Sequence, residues 1–459
     1  MTRRLFLSTA ALAQAPRRKP NIVLFLADDL GYGDIGCYGS PDVPTPHIDA
    51  LAKTGMRFTD AYVSAAVCSH SRAALLTGLY QHRFGHEFNS GSVEREAQIN
   101  FGLPAPAKIA PAYLKQAGYR SAAFGKWHLG VRKCYHPLDR GFDEFVGFLT
   151  GGNDYITQQT PGARMQPVPG EGEKIPAKRQ AELWRDRGPF DDRGQYLTDI
   201  IRDEAIAFIG RNKANPFFAY LAFNAIHTPL HANQSYLDRV ANLKDGKHKM
   251  LAAMTVALDD AVGAVVKTVK DAGLLRDTIF VFLSDNGSPI MTGAGSNAPL
   301  NGEKVSYYEG GIRVPMIIAW QGRVPAGKTY KEIAVSRDLL PTFLKAAGLT
   351  SEMKFDGVDL LQYLNGAGGR PHDALYWRAG EGRAIRSGKW KLVEHGAKSH
   401  LFDLASDVGE KNDVAAANPK IVAELRAKWK AWSDSMPQAA WPPRYREVTV
   451  NGETIRWEL

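Results

Sequence analysis

From Asn21 the chain runs Ile22-Val23-Leu24-Phe25-Leu26-Ala27 without a polar break and then meets Asp28, Asp29, Leu30 and Gly31. A continuous apolar run stopped by two acids and a glycine predicts a strand buried on both faces, with carboxylates at its end. The pattern returns far downstream, where Thr278-Ile279-Phe280-Val281-Phe282-Leu283 leads into Ser284, Asp285, Asn286 and Gly287. Just before it, Leu251, Met254, Leu258, Val262, Val265 and Val269 recur at spacings of three and four, the signature of one face of a long helix. Strand-like runs at residues 216–223 and 314–320 alternate with helical stretches. The predicted fold class is therefore α/β, a large, mostly parallel mixed sheet flanked by helices. In such sheets ligands collect outside the carboxyl ends of the strands.

The pattern breaks near Asn365-Gly366-Ala367-Gly368-Gly369-Arg370-Pro371, which divides a main domain, residues 20–368, from a smaller C-terminal α+β subdomain, residues 371–459. Residues 384–393 and 401–404 read there as antiparallel strands. A helix follows, capped by Asn418 with Pro419 at its first position, and its buried stripe is expected at Ile421, Leu425, Trp429 and Trp432. Residues 151–195 are rich in glycine, proline and charge with little periodicity, and read as an irregular surface or binding segment.

Composition adds limits rather than a function. With 44% hydrophobic and 23% charged residues over 459 positions, the chain is an ordinary globular protein able to bury a large core. A formal charge of +9 favours anionic substrates at long range, but no basic and aromatic pattern points to nucleic acid. The start, Thr2-Arg3-Arg4-Leu5-Phe6-Leu7 running to Ala13-Gln14-Ala15, reads as a twin-arginine-like export signal over residues 1–15, which predicts a mature protein in the periplasm or outside the cell of a bacterium. No later run is long enough to insert stably in a membrane. Three cysteines, Cys37, Cys68 and Cys134, allow at most one internal disulfide, and a Cys37 to Cys134 pairing is permitted but not forced.

Asp28, Asp29, Asp285 and Asn286 offer only oxygen donors, from two strand ends that a parallel sheet can set side by side. That donor set suits calcium, with magnesium as the alternative, better than zinc. Cys68 and Arg72 stand four apart at the start of an apparent helix, whose N-terminus attracts anions.

Taken in order, these pieces resemble the sulfatase family over nearly the whole chain from Asn21 onward. The family signature is Cys or Ser, any residue, Pro, Ser, Arg; Cys68, Ser71 and Arg72 match it, while His70 stands where proline is usual. A second signature is recognisable in Gly118-Tyr119-Arg120-Ser121-Ala122-Ala123-Phe124-Gly125-Lys126-Trp127-His128-Leu129-Gly130. Further agreement comes from His227 in Asn224-Ala225-Ile226-His227-Thr228-Pro229 and from Lys304, shortly before Tyr308-Glu309-Gly310-Gly311-Ile312-Arg313-Val314-Pro315.

The resemblance implies an alkaline phosphatase-like fold and a sulfuric ester hydrolase. Cys68 would be oxidised to formylglycine by a formylglycine-generating or sulfatase-maturating enzyme, and its hydrate would be the nucleophile. It implies a metal site of Asp28, Asp29, the converted Cys68, Asp285 and Asn286. Arg72 would steady the nucleophile, Lys126 and Lys304 would neutralise sulfate oxygens, His128 would act as base, and His227 would protonate the leaving alcohol. Of the remaining histidines, His47, His82, His86, His136 and His231, the last two could border the substrate pocket. Similarity of Arg140-Gly141-Phe142-Asp143-Glu144-Phe145 and the His227 segment to the arylsulfatase and N-acetylgalactosamine sulfatase branch points to a sulfated small molecule or glycan, with a sulfated carbohydrate preferred. The rival readings are a phosphomonoester or phosphonate monoester hydrolase of the same superfamily, and a non-catalytic binder of sulfated glycans in which Cys68 stays a thiol.

Overall fold

A computed structural model describes residues 18–89, 95, 98–167, 172–290, 293–366 and 368–459. The expected export signal lies outside the described residues. Strand Asn21–Ala27 is buried at every position and occupies the middle of a ten-stranded sheet. It pairs in parallel with Thr278–Ser284 on one side and Phe217–Ala222 on the other. Arg120–Lys126 and Glu144–Phe148 continue the parallel run. Beyond it the edges turn antiparallel, through Met316–Ala319 on one side and Trp184–Arg185 on the other.

Alternate residues of the central strand feed two separate cores, which is why its sequence shows no polar alternation. Val23 and Phe25 pack with helices Leu197–Asn212 and Lys247–Asp271, whose predicted stripe from Leu251 to Val269 is fully buried. Ile22, Leu24 and Leu26 face the other layer, which contains Ala73 and Leu75 of helix Cys68–Thr77 and Leu339 and Phe343 of helix Leu339–Ala346.

The run at residues 314–320 is a strand, but it lies antiparallel to Thr278–Ser284. A parallel return would need a long crossover, usually helical, and among the described residues the chain between these strands holds only the four-residue helix Glu309–Ile312.

The C-terminal region forms a four-stranded antiparallel sheet, Ala374–Ala379, Gly382–Ser387, Trp390–His395 and Lys398–Asp403, with helix Pro419–Asp434 against it. Here the sequence reading needs correction. Residues 384–393 are not one strand: the chain reverses at Gly388, whose φ of +57° suits a glycine turn. Pro419 opens the helix and Asn418 is its N-cap residue, but the Asn418 side chain makes no capping hydrogen bond; its Nδ2 donates to the Val414 carbonyl instead. The fully buried positions of that helix are Val422 and Leu425, while Ile421, Trp429 and Trp432 are half-buried along the margin. Trp432 is spent on stacking against Tyr376, with ring centroids 5.2 Å apart.

Residues 151–195 are less irregular than expected. Ala163–Met165 pairs with His231–Asn233, and Trp184–Arg185 with Gly188–Pro189 extends the main sheet. A third apolar cluster joins Tyr62, Val67, Tyr308 and Val314 to Trp377, Phe402 and Trp457, so the C-terminal sheet is packed directly onto the segments that lead to the strand ends. Cys37, Cys68 and Cys134 are all free thiols. Among the described residues no helix is long and apolar enough to cross a membrane.

Candidate active site

The register of the two central strands places Ala27 beside Ser284, so Asp28 and Asp285 leave the sheet together at its carboxyl edge. Asp29 turns away in the left-handed region, φ +61°, which carboxylate side chains tolerate better than most. Its backbone N–H meets Asp285 Oδ1 at 3.3 Å. Opposite them stands the first turn of helix Cys68–Thr77, buried at every position.

Cys68 Sγ lies 3.3 Å from Asp28 Oδ1 and 3.9 Å from Asp29 Oδ1. Lys304 Nζ reaches the same sulfur at 3.2 Å and Asp29 Oδ1 at 2.6 Å. Lys126, the last residue of its strand, places Nζ 2.6 Å from Asp28 Oδ2. One turn along the helix, Arg72 Nε donates to Asp285 Oδ2 at 2.8 Å, and Nη1 donates to the Lys126 carbonyl. Three cations and three carboxylates are thus buried together, and each carboxylate has a cation against it, as buried charge requires.

His227 Nε2 sits 3.6 Å from Asp29 Oδ2, and at 21% exposure its side chain is the most open of the group. It marks the mouth. His128 is on the inside, in the left-handed region at φ +56°, with its ring against Gly151. A Cβ added to Gly151 would fall 2.8 Å from His128 Cε1 and Nε2, so glycine there is a requirement of close approach.

The charges act on one another. Burial would raise Asp29, but Lys304, His227 and Lys126 outweigh it and hold the carboxyl below its usual range. Burial, with Asp28 and Asp285 adding to it, pushes the Cys68 thiol up. An unmodified Cys68 is therefore a protonated and poor nucleophile. Burial, assisted by Lys304 and Lys126, lowers His227 to about 3, and burial followed by Lys126 and Arg72 lowers His128 well below the ordinary imidazole value. Burial and Asp28 raise Asp285.

Donor atoms of Asp28, Asp29, Cys68 and His227 lie within 4.8 Å of one another. Asn286 Oδ1 is buried without a hydrogen-bond partner among the described residues, although its Nδ2 donates to Asp29 at 2.6 Å. Buried carboxylates with an idle amide oxygen fit a hard cation.

All the residues singled out in the sequence, Asp28, Asp29, Cys68, Arg72, Lys126, His128, His227, Asp285, Asn286 and Lys304, are brought to this one edge. His136 and His231 are taken up locally instead. His136 Nδ1 accepts from the Leu138 N–H, and His231 Nδ1 from the Tyr155 N–H. Sequence reading missed Gly151, Tyr155, whose hydroxyl donates to the Asn224 and His227 carbonyls, and Ser69, whose hydroxyl donates to the His128 carbonyl at 2.7 Å. Of these only Ser69 stood inside a recognisable motif.

The family profile "Sulfatase" matches residues 20–349. The chain belongs to the sulfatase family. A second profile, "N-sulphoglucosamine sulphohydrolase, C-terminal", matches residues 303–434 of this sulfatase. It is 35% identical to the N-acetylgalactosamine-6-sulfatase of Sus scrofa, over 92% of this chain and 87% of the relative. It is 33% identical to human arylsulfatase A, over 92% and 89% of the two chains. Among solved structures, Ps i-CgsB in complex with k-i-k-neocarrahexaose superposes with a TM-score of 0.83 at 37% identity, covering 92% of this chain and 95% of that one. The fold is thus the alkaline phosphatase-like sulfatase fold, and the protein is a sulfuric ester hydrolase with Cys68 set at a buried Asp28 and Asp29 site.

Proposed function

We propose that this sulfatase cleaves sulfate esters of a carbohydrate through a formylglycine hydrate derived from Cys68. The observation that carries the reading is the convergence of Asp28, Asp29 and Lys304 on one sulfur atom at 3.2 to 3.9 Å. As a thiol, Cys68 is held protonated by burial and by the two aspartates; an oxygen nucleophile at that position would exploit the same surroundings. A separate maturating enzyme supplies the oxidation.

One hydroxyl of the hydrated residue 68 gives up its proton to Asp28, whose Oδ1 accepts at this position, and its oxygen forms a bond to sulfur as the ester S–O bond breaks. The departing alcohol takes a proton from His227, which stands at the mouth where the leaving group must exit. The negative charge of a bound sulfate ester opposes the effect of Lys304 and Lys126 on His227 and favours its protonated form. His128 then takes the proton of the second hydroxyl. The aldehyde C=O re-forms, its bond to the sulfate oxygen breaks, and sulfate leaves without water attacking sulfur. Hydration of the aldehyde restores the nucleophile. Arg72 steadies the nucleophilic oxygen, while Lys126 and Lys304 neutralise sulfate oxygens in the dry interior.

When bound, a calcium or magnesium ion held by Asp28, Asp29, residue 68, Asp285 and Asn286 would supply Lewis-acid chemistry. Similarity to enzymes named for N-acetylgalactosamine 6-sulfate, and to a structure holding a neocarrahexaose, supports the carbohydrate substrate. The basic pair and short apolar run at the start support export to the periplasm or beyond.

Mass spectrometry of the Cys68 peptide from the native host is expected to show formylglycine; an intact thiol throughout would sink the nucleophile assignment. Purified protein is expected to turn over sulfated sugars and nitrophenyl sulfate faster than nitrophenyl phosphate or a phosphonate ester. Chelation should remove that activity and calcium should restore it, whereas activity indifferent to chelation would overturn the metal reading.

A further inference from the structure

Behind the nucleophile helix lies a buried assembly that the reaction above does not use. Ser69 is fully buried, and its hydroxyl donates to the His128 carbonyl at 2.7 Å. A hydroxyl that donates there must accept from its other neighbour, His86 Nε2, at 2.8 Å. This fixes His86 as the tautomer with its proton on Nε2, consistent with a buried Nδ1 that has no partner among the described residues.

The His86 ring cannot drift. Phe101 and Trp441 stand edge-on to it at 5.2 and 5.0 Å, and His70 does the same at 5.7 Å. The box draws on three separate stretches of chain, including the C-terminal subdomain through Trp441. His70 is the residue that replaces proline in the nucleophile motif, and in this fold its ring supplies one wall.

We infer that Ser69 and His86 are positioning residues that hold His128 in its left-handed backbone conformation and so aim its imidazole at residue 68. His128 is a non-glycine residue at φ +56°, a sparsely populated conformation that persists where the surroundings impose it. The restraints are visible: its N–H donates to the Leu149 carbonyl at 3.1 Å, its carbonyl accepts from Ser69, and its ring is stopped by Gly151. Ser69 directly follows Cys68. One side chain therefore ties the nucleophile's own helix turn to the base, fixing the distance between them. Neither Ser69 nor His86 touches substrate.

The inference rests on the assignment of His128 as base, and the experiment separates the two. His86→Phe keeps the ring in its box and removes the donor; His86→Gln places an amide N–H near the lost Nε2. Rates are divided by the formylglycine fraction measured on the Cys68 peptide. His86→Phe is expected to lower kcat about tenfold to a hundredfold with KM little changed, and His86→Gln to recover most of that loss. Wild-type kcat in His86→Phe, or equal loss in both folded variants, would overturn the inference. Ser69→Ala, with rates normalised in the same way, covers the case in which the His86 variants do not fold, and wild-type kcat there is equally fatal. Crystal structures give a readout free of activity: His128 should leave the left-handed region or pull away from Gly151 in His86→Phe, and an unmoved His128 refutes the positioning role. A wild-type enzyme that lacks formylglycine would defeat the reading of the reaction, not this structural test.

Discussion

Lys304 Nζ lies 3.2 Å from Cys68 Sγ although 236 positions separate them, and the same ammonium holds Asp29 Oδ1 at 2.6 Å. The lysine bridges the nucleophile position and a carboxylate of the cation site. Lys304→Met keeps most of the volume and removes the charge. Steady-state kinetics on a sulfate ester should show kcat down about a hundredfold to a thousandfold, with thermal stability altered less; a variant within threefold of wild type would remove Lys304 from the reaction.

Gly151 sets how closely the loop after strand Glu144–Phe148 approaches His128. Gly151→Ala puts a methyl 2.8 Å from ring atoms that have little room to retreat, since His128 is 3% exposed. We expect kcat to fall by about tenfold or more with an unchanged fold, because displacements of an ångström at a catalytic group cost that much. Circular dichroism with kinetics checks both halves.

Lys391 is fully buried and pairs with Glu309 at 2.9 Å and Glu410 at 3.3 Å, joining the C-terminal sheet to the segment that carries Lys304. Lys391→Met leaves Glu410 buried without its cation, while Glu309 keeps Arg313 at 3.2 Å, a loss of about 3–5 kcal/mol. Burial and the neighbouring Glu309 raise Glu410 to about 8 against the lowering effect of Lys391, so without Lys391 it goes higher still and part of the penalty is relieved by protonation below about pH 8. Denaturant unfolding should therefore show a larger deficit at pH 8 than at pH 6.

Asp34 is buried and accepts the N–H groups of Gly31 and Ser296, yet burial outweighs these bonds and raises it to about 7. The folded form thus keeps its proton to higher pH than the unfolded chain. Its contribution is complete below about pH 4 and is lost as pH rises to about 7, at most roughly 4 kcal/mol by linkage. Asp34→Asn cannot titrate, so its stability relative to wild type should improve from about pH 4 to about pH 7 and level off above it in thermal melts. A constant difference would contradict the shift.

Much of the fold was legible because a strand buried on both faces must be apolar throughout, and a helix on its face must repeat every three to four residues. Asn21–Ala27, Thr278–Ser284 and the stripe from Leu251 to Val269 obey those rules. The direction of Met316–Ala319 was not legible, since apolar content is the same in either orientation and the path of the long, mostly non-helical connection decides. Nor was the turn at Gly388, where two short strands share one apolar run, or the margin position of Trp429 and Trp432, the first donating its indole N–H to the Trp377 carbonyl and the second stacking on Tyr376.

For the site, the sequence by itself determined which chemistry was available: Cys68 and Arg72 one helical turn apart, acids at two strand ends, and lysines and histidines in motifs of fixed spacing. These are local relations, set by the chain's own periodicity. Only the tertiary structure decided that Asp28 and Asp285 leave adjacent strands, that Lys304 folds back onto Cys68, and that Gly151 meets the His128 ring while Ser69 bonds its carbonyl. Those contacts join residues far apart in the chain, and their distances follow from strand register and side-chain packing, quantities that no single stretch of sequence contains.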